Sequence, residues 1–350
     1  MKSSIKKLKN CKKIVEVKLA PDKVKEEFDR VYEGIKKVAN VPGFRPGMAP
    51  RDLLEKHYNE TAREEVIKKL VPDTYKMIIE EHKLDPIGYP EITDLKLDLD
   101  GGFSYTASIE TRPELSLKNY RGIKLKKKKR EAKEEDVQKN LQALRETYAQ
   151  KAPKEGGEEK EKILPKLDDD FAKDLGLENL EKLKEAVKLN LQHRLEQESR
   201  ADLEMQVISY LTDGVNCEVP NSLVNSEKDR LLKDANSRIA YIQATQKKQT
   251  PDKKFELSDK EKKELEENSR KQAIRQVKTF FILDKIAHAE KIYIKSEELD
   301  REIENMAEEY QKPKKEIEDY LEKNHKMDEI AVNMRNAKVM EFLLKEAKVS

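Results

Sequence analysis

The sequence predicts a predominantly helical α+β protein, with a small N-terminal antiparallel sheet and helices followed by an elongated, all-helical C-terminal region with arms. Short apolar segments that alternate with polar residues occur only near the N-terminus, whereas apolar residues at spacings of three and four fill most of the remainder. Charged residues make up 41% of the 350 residues and hydrophobic residues 36%, and there is no Trp. This composition favours several small cores over one large core.

The first 115 residues are expected to form the α+β domain. Residues 14–19 alternate as a strand does, and residues 3–9 can pair with them around a turn at Asn10. Pro21 follows at a position that suits the first turn of a helix.

The second half of this domain continues the pattern. A short helix is predicted after Pro50 and a longer one at about 60–83, with a kink at Pro72. Two alternating segments, 91–99 and 103–109, then predict a β-hairpin. The order strand, strand, helices, strand, strand is typical of an antiparallel sheet with helices on one side.

Residues 116–162 are expected to link the two regions. The segment 116–131 is predicted to be extended, and its basic run 126–130 is either a solvated linker, which we favour, or a nucleic-acid contact. A helix at 134–150 is expected to pack on the C-terminal domain, and 151–162 is expected to be a flexible loop.

Residues 163–350 are predicted to be almost entirely helical. Pro220 restarts a helix after a long one at 178–212, and Ser258 and Ser296 are expected to cap two further helices. Two more helices are predicted at the C-terminus, at about 313–323 and 327–346.

A loop at residues 40–50, here called the tip loop, joins two amphipathic helices and carries three prolines. Gly43 and Gly47 allow backbone angles closed to other residues, and Phe44 and Arg45 lie between them. A stiff loop that presents a ring and a guanidinium suits contact with a partner. A helix–helix turn whose Phe packs into the core is the other interpretation, and both stay open.

The residues from Gly43 to Pro50 resemble the Gly-Phe-Arg-x-Gly-x-x-Pro signature of the trigger factor family, ribosome-associated bacterial chaperones. The resemblance implies that 1–115 is a ribosome-binding domain that docks beside the nascent-chain exit tunnel. It implies ribosome-binding residues in the loop: Gly43, Phe44, Arg45, Pro46 and Gly47. The family usually has lysines where this chain has Pro46 and Met48, so docking loses positive charge.

The C-terminal region resembles the same family more weakly, through its succession of helices and the pieces Glu218-Val219-Pro220 and Ser226-Glu227. The resemblance implies that 163–350 is a substrate cradle. Family members carry a peptidyl-prolyl isomerase domain between segments like 134–150 and 163–176. Only about a dozen residues separate those segments here, and a domain needs at least ~50. We therefore expect no isomerase domain and no enzymatic activity.

Few residues suggest site chemistry. The eleven glycines form neither a Walker A loop nor a Gly-x-Gly-x-x-Gly run, and the five histidines are scattered. Cys11 and Cys217 are far apart in sequence and fit no metal spacing. Asp168, Asp169 and Asp170 suit a helix start better than a cation site. The sequence therefore predicts no cofactor, no metal and no use of ATP.

Charge and hydropathy indicate a location. Net charge is only +2, but residues 1–50 hold 13 Lys and Arg against 6 Asp and Glu, which fits an anionic partner such as ribosomal RNA or a solvated lysine face. No apolar run has signal-peptide length or the roughly 18 residues of a membrane span. A cytoplasmic protein without membrane contact is expected.

The leading hypothesis is an ATP-independent chaperone that holds nascent or unfolded polypeptides on apolar patches rimmed with charge. Weak substrate-binding candidates are Met306, Met334, Met340 and Phe281, although core packing is the commoner role at helical spacing. Expected partners are the ribosome, unfolded chains and, as a homodimer of the free protein, a second copy. The alternative is a structural or RNA-associated helical protein.

Overall fold

The computed structural model describes residues 1–98, 102–117, 119–128, 131–153, 160–249 and 258–350. The strands are β1 (Lys2–Lys7), β2 (Lys12–Leu19), β3 (Pro86–Asp98), β4 (Gly102–Thr111), β5 (Lys124–Leu125), β6 (Gln150–Pro153), β7 (Lys160–Ile163) and β8 (Lys348–Val349). The helices are α1 (Pro21–Val38), α2 (Arg51–Glu81), α3 (Glu134–Thr147), α4 (Asp169–Asp174), α5 (Leu180–Gly214), α6 (Asn221–Gln249), α7 (Asp259–Ala289), α8 (Ser296–Glu309), α9 (Lys314–Lys323) and α10 (Met327–Glu346).

These elements form two compact units, and each unit is discontinuous in sequence. The first combines Met1–Ser116 with Val215–Ile282, and the second combines Leu117–Gly214 with Leu283–Ser350. The end of the expected N-terminal domain lies one residue from a unit boundary. The expected 163–350 domain, by contrast, contributes helices to both units.

The first unit contains a four-stranded antiparallel sheet in the order β1-β2-β4-β3, so the predicted α+β class is confirmed. Val15 pairs with Ala107 and Val17 with Tyr105. All four side chains are buried on one face, because alternate residues of a strand point to the same side. Residues 99–101, the centre of the predicted hairpin turn, lie outside the described residues.

Helices α1 and α2 cover this face of the sheet. Pro21 begins α1, as predicted, and Phe28 is buried in the shared core. The predicted kink at Pro72 is wrong, since the backbone departs from helical angles at Tyr58 instead. Pro72 is exposed, so water can satisfy the carbonyl oxygen that loses its amide partner.

The rest of the first unit is a second core on α6 and α7. Val224, Ala273 and Val277 are buried there, and Ile87 and Leu115 from the sheet region pack against them. Ser258 caps α7 as predicted, because its hydroxyl accepts from the Glu261 N–H at 3.3 Å while the Glu261 carboxylate accepts from the Ser258 N–H at 2.8 Å.

The second unit buries apolar residues of α3, α4 and α5 in one core and those of α8 and α9 in another. Ser296 is the first residue of α8 rather than its cap, since Lys295 occupies the cap position. The Glu298 carboxylate accepts from the Lys295 N–H at 2.9 Å. The side chain of Glu298, three residues after the cap position, therefore satisfies the backbone amide of the cap residue itself.

Two segments expected to be extended or loop-like form strands in the second unit. β5, from the connector at 116–131, pairs in parallel with β8, and Leu125 is buried there. β6 and β7 pair antiparallel, so the two ends of the expected flexible loop are strands. Its centre, 154–159, and residues 129–130 of the basic run lie outside the described residues.

Candidate docking loop and peptide groove

The tip loop consists of two successive turns of the same kind. The Phe44 N–H donates to the Val41 carbonyl at 3.0 Å, and the Met48 N–H donates to the Arg45 carbonyl at 3.0 Å. In each turn a proline is followed by a glycine with positive φ, 85° at Gly43 and 86° at Gly47. This is the pattern of a type II turn, in which proline presets the second residue and glycine suits the third. Pro46 is the preset residue of the second turn, as Pro42 is of the first.

The base of the tip loop is tied to both helices. The Gly47 N–H donates to the Lys36 carbonyl of α1 at 2.9 Å. The Tyr58 hydroxyl of α2 accepts from the Asn40 N–H at 3.1 Å and donates to the Asn40 carbonyl at 3.2 Å. Tyr58 is also the residue where α2 is kinked. Val41 and Ala49 are buried, so the backbone of the loop is fixed on both sides of its tip.

The side chains at the tip are exposed. Phe44 is 40% exposed and Met48 is 73% exposed, and Arg45 and Pro46 are exposed as well. Phe44 therefore does not pack into the core, and the second interpretation of the loop is wrong. The tip presents a ring, a thioether and one guanidinium at the end of a stiff support.

Additional positive charge lies next to the loop. Lys36 and Lys37 occupy the last turn of α1, where the helix dipole favours cations. Arg51 at the start of α2 is engaged within the unit, since it lies over the Tyr32 ring at 3.8 Å and bonds Asp29 and Glu55. Sequence reasoning did not assign Lys36, Lys37 or Tyr58 to the surroundings of the loop. The two lysines could have been identified from their position a few residues before the signature, but Tyr58 could not.

A groove of about 600 Å³ lies in the second unit, between α8, α9 and α10. We call it the α8–α10 groove. Its apolar lining is Met306, Tyr310, Ile317, Tyr320, Leu321 and Ile330, and its polar lining is Lys312, Glu316, Lys326, Glu329 and Asn333. Tyr310 and Tyr320 are 61% and 55% exposed. Large rings that stay this exposed beside an apolar floor form a surface suited to extended peptide.

Ion pairs hold the three helices of the groove together. Lys314 of α9 bonds Glu304 of α8 at 2.9 Å, and this hydrogen bond raises the pKa of the Lys314 ammonium. Lys338 of α10 bonds both oxygens of Glu298 on α8 at 2.6 and 2.7 Å. The Lys295 N–H and then Lys338 lower the pKa of the Glu298 carboxyl.

The predicted substrate residues have different positions. Met306 lines the groove, and Met334 is half-buried on α10. Phe281 and Met340 are only 4% and 8% exposed, so their assignment to an open binding surface is wrong. Both are apolar residues on the helix faces that pack into cores, where burial stabilises them more than exposure does. The two groove tyrosines were not predicted.

The described part of the basic run is bound along α5. The Lys126 N–H and carbonyl exchange hydrogen bonds of 2.9 Å with the Gln206 amide, and Lys128 lies 3.8 Å from Asp202.

Within the described residues there is no group of three or more metal-ligating side chains. No helix in this part of the chain is long and apolar enough to cross a membrane.

Comparison with known proteins gives concordant matches. A family model described as bacterial trigger factor protein matches residues 1–144, and a model of the trigger factor C-terminus matches residues 179–345. The trigger factor of Geotalea daltonii is 26% identical, with 100% of this chain and 98% of the relative aligned. That of Desulfatibacillum aliphaticivorans is 27% identical, with 91% and 90% aligned.

A solved structure of the trigger factor chaperone superimposes with a TM-score of 0.60 at 18% identity and covers 99% of this chain and 100% of that one. This match identifies the fold as an α+β class that contains a small sheet and long helices. The two family models then define it further: the chain belongs to the trigger factor family.

The matched family models leave little chain between them. They cover an N-terminal and a C-terminal part and are separated only by residues 145–178, which is shorter than a domain of at least ~50 residues. The alignment with the Geotalea daltonii relative extends over 437 positions, more than the 350 residues of this chain. Part of that relative therefore has no counterpart here.

Proposed function

We propose that this protein is a folding chaperone that holds unfolded polypeptides in the α8–α10 groove, docks on the ribosome through the tip loop and needs no nucleotide. The observation that best supports the chaperone function is the groove, which is an open apolar surface in a chain of the trigger factor family. The tip loop supports docking because its backbone is fixed while its ring and guanidinium are exposed.

The groove supports weak and general binding of peptide. Its rings and its methionine offer contact without a fixed shape, because a thioether adapts to varied side chains. Lysines and glutamates around the apolar floor keep the open surface soluble. Each apolar contact contributes on the order of 1 kcal/mol, so a client is held by several contacts and released quickly.

The test of the groove is suppression of aggregation of a chemically denatured client by the full-length protein. Tyr310→Ala with Tyr320→Ala should weaken protection several-fold. Tyr89→Ala with Tyr293→Ala is a matched control, since it removes two exposed tyrosines outside the groove and should protect as well as the unmodified chain. Addition of ATP should change nothing. Equal protection by both double variants would contradict the role of the groove.

The test of the tip loop is co-sedimentation with ribosomes. Phe44→Ala with Arg45→Ala should weaken binding at least tenfold and leave the helical circular dichroism unchanged. Tyr89→Ala with Lys2→Ala also removes one exposed ring and one cation from the same unit, and it should bind normally. Unchanged binding by the loop variant would refute docking through this loop.

The charge of the loop leads to a further expectation about salt. Arg45 is the only charged side chain among residues 40–50, so the loop itself can neutralise few phosphates. The affinity should therefore fall less steeply with salt than in family members that carry lysines at both positions. Pro46→Lys with Met48→Lys should steepen the salt dependence, and an unchanged slope would contradict this account.

Absence of prolyl isomerase activity is also part of the proposal. It is supported by the short interval between the two matched family models. A tetrapeptide isomerisation assay should show only the uncatalysed rate, tens to hundreds of seconds at 25 °C. Clear acceleration by the pure protein would contradict it.

A further inference from the structure

The two cysteines of the chain, more than 200 positions apart in sequence, come together in the first unit. Cys11 lies in the turn between β1 and β2, where Asn10 and Cys11 both have positive φ, 57° and 61°. Cys217 lies in the segment that precedes α6. The Cys11 thiol donates to the Glu218 carbonyl at 3.2 Å, and the Asn10 N–H donates to the Glu218 carboxylate at 2.5 Å. These two bonds fix the turn against the residue that follows Cys217.

Both cysteines line one cavity of about 280 Å³ at the surface of the unit. Each is half-buried, and both are free thiols. The cavity is also lined by Lys7, Lys12, Lys13 and Arg112 and by the carboxylates of Glu114 and Glu218. The excess of positive charge suits an anionic reagent such as glutathione disulfide. No other cysteine exists in the chain to compete for either thiol.

We propose that Cys11 and Cys217 are a modification site, at which a low-molecular-weight disulfide such as oxidised glutathione generates an intrachain disulfide bond. The thiolate of one cysteine attacks a glutathione sulfur, and one reduced glutathione leaves. The thiolate of the second cysteine then attacks the protein sulfur of the mixed disulfide, and the second reduced glutathione leaves. The two cysteines lose two protons and two electrons, and one glutathione disulfide becomes two thiols.

The bond would tie the turn of the sheet to the start of α6. Disulfides that close long loops restrict the unfolded chain most, so the oxidised unit is expected to be more stable to heat. The reaction is expected to be slow at neutral pH. Burial, and then the charges of Cys217, Glu218 and Glu110, raise the pKa of the Cys11 thiol to about 11, against a smaller opposing effect of Lys13. Burial also raises the pKa of Cys217, against an opposing effect of Lys278, and only the thiolate is a nucleophile.

The test uses the full-length protein with oxidised glutathione at about pH 8.5, where more thiolate is present. Intact mass should show the loss of two hydrogens with no glutathione added, and peptide mapping should join the peptides that contain Cys11 and Cys217. The unfolding midpoint should rise and should return on addition of dithiothreitol. The same treatment in urea should give glutathione adducts instead, because the thiols are then no longer held together.

Single variants separate proximity from reactivity. Cys217→Ser should leave one thiol that accepts a single glutathione, with no rise in the unfolding midpoint, and Cys11→Ser should behave in the same way. The proposal is overturned if the folded chain carries two glutathiones, if it forms disulfides between two copies, or if both thiols stay free under conditions that modify the urea-unfolded chain.

Discussion

The tip loop and the α8–α10 groove are both exposed surfaces, but they are built in opposite ways. In the loop, two turns and the bonds of Tyr58 to Asn40 fix the backbone, and a few side chains project from it. In the groove, the backbone belongs to three packed helices, and the binding surface consists of their side chains, which can adapt to different clients. The difference matches two tasks: a fixed partner is recognised by a preorganised tip, and varied clients by a surface that can repack.

This contrast predicts which substitutions each surface tolerates. The loop should be sensitive to changes in backbone preference and in the bonds at its base. The groove should be sensitive to loss of apolar area and tolerant of changes in shape. The following predictions test that contrast, from the largest expected effect to the smallest.

Substitution of the loop glycines should have the largest effect. Gly43→Ala and Gly47→Ala each place a Cβ on a residue with φ near 85°, which costs about 1–2 kcal/mol although no atom lies within 4 Å of the added carbon. Each should weaken ribosome co-sedimentation by about tenfold, since ~1.4 kcal/mol is a factor of ten. Client protection should be unchanged.

The matched control is Gly34→Ala in α1, where the added Cβ also meets no atom within 4 Å but φ is not positive. Alanine in a helix is favoured over glycine by roughly 0.5–1 kcal/mol, so this variant should melt slightly higher and bind ribosomes normally. If all three variants bound ribosomes equally well, the loop would not depend on its fixed backbone.

Removal of the Tyr58 hydroxyl should have the next largest effect. Tyr58→Phe deletes two hydrogen bonds to Asn40, each contributing about 1 kcal/mol, and should weaken ribosome binding several-fold. Tyr75→Phe is the matched control, because the buried Tyr75 hydroxyl has no hydrogen-bond partner. That variant should be as stable as the unmodified chain or more so, as measured by urea unfolding. If both variants lost ribosome binding equally, the effect of Tyr58→Phe could not be assigned to its bonds with Asn40.

Much of the first unit could be predicted from the sequence because its signals are local. Alternating residues specify the strands, and Pro-Gly pairs specify the turns of the tip loop, each within four residues. The break at Tyr58 agrees with the predicted division into a short helix after Pro50 and a longer one from about residue 60, but the bond of Tyr58 to Asn40 could not be predicted, since it exists only after α1 and α2 have packed. The adjoining positions of Cys11 and Cys217 likewise require the β1–β2 turn to meet a segment more than 200 residues away.

The groove was predicted only in part. Helical periodicity identifies an apolar face, but it does not say which part of that face remains uncovered. Met306 lines the groove, and its predicted contact with substrate stays a prediction, whereas Phe281 and Met340 are buried. The exposure of Tyr310 and Tyr320 was not predicted, because both lie near helix ends and are ordinary residues of an amphipathic helix. The pairing of β5 with β8 was also missed, because it joins two segments that are distant in sequence.

Acid should weaken the ion pair between Glu298 of α8 and Lys338 of α10, which helps to hold the helices of the groove together. The pKa of Glu298 is lowered in the folded state, so its contribution to stability is present above the unfolded value of about 4.3 and is lost as pH falls through the folded pKa. Glu298→Gln should therefore melt below the unmodified chain at pH 7, and the difference should vanish in acid. Glu309→Gln, on the same helix, is the control and should leave the midpoint unchanged or slightly raised, because a negative charge near a helix C-terminus is unfavourable. A difference that persists in acid would contradict a role for the charge of Glu298.

The smallest effect should come from a change of shape within the groove. Met306→Leu conserves volume and apolar character, and such swaps usually cost less than ~1.5 kcal/mol even in packed cores. On an open surface that binds varied clients, protection against aggregation should therefore change by less than about twofold. The equivalent change in the tip loop, Phe44→Leu, should weaken ribosome binding more, because a rigid loop cannot move to restore the contact that the ring made. If Met306→Leu reduced protection as much as the double tyrosine variant, the groove would recognise a defined shape, and the proposed contrast between an adaptable and a preorganised surface would be wrong.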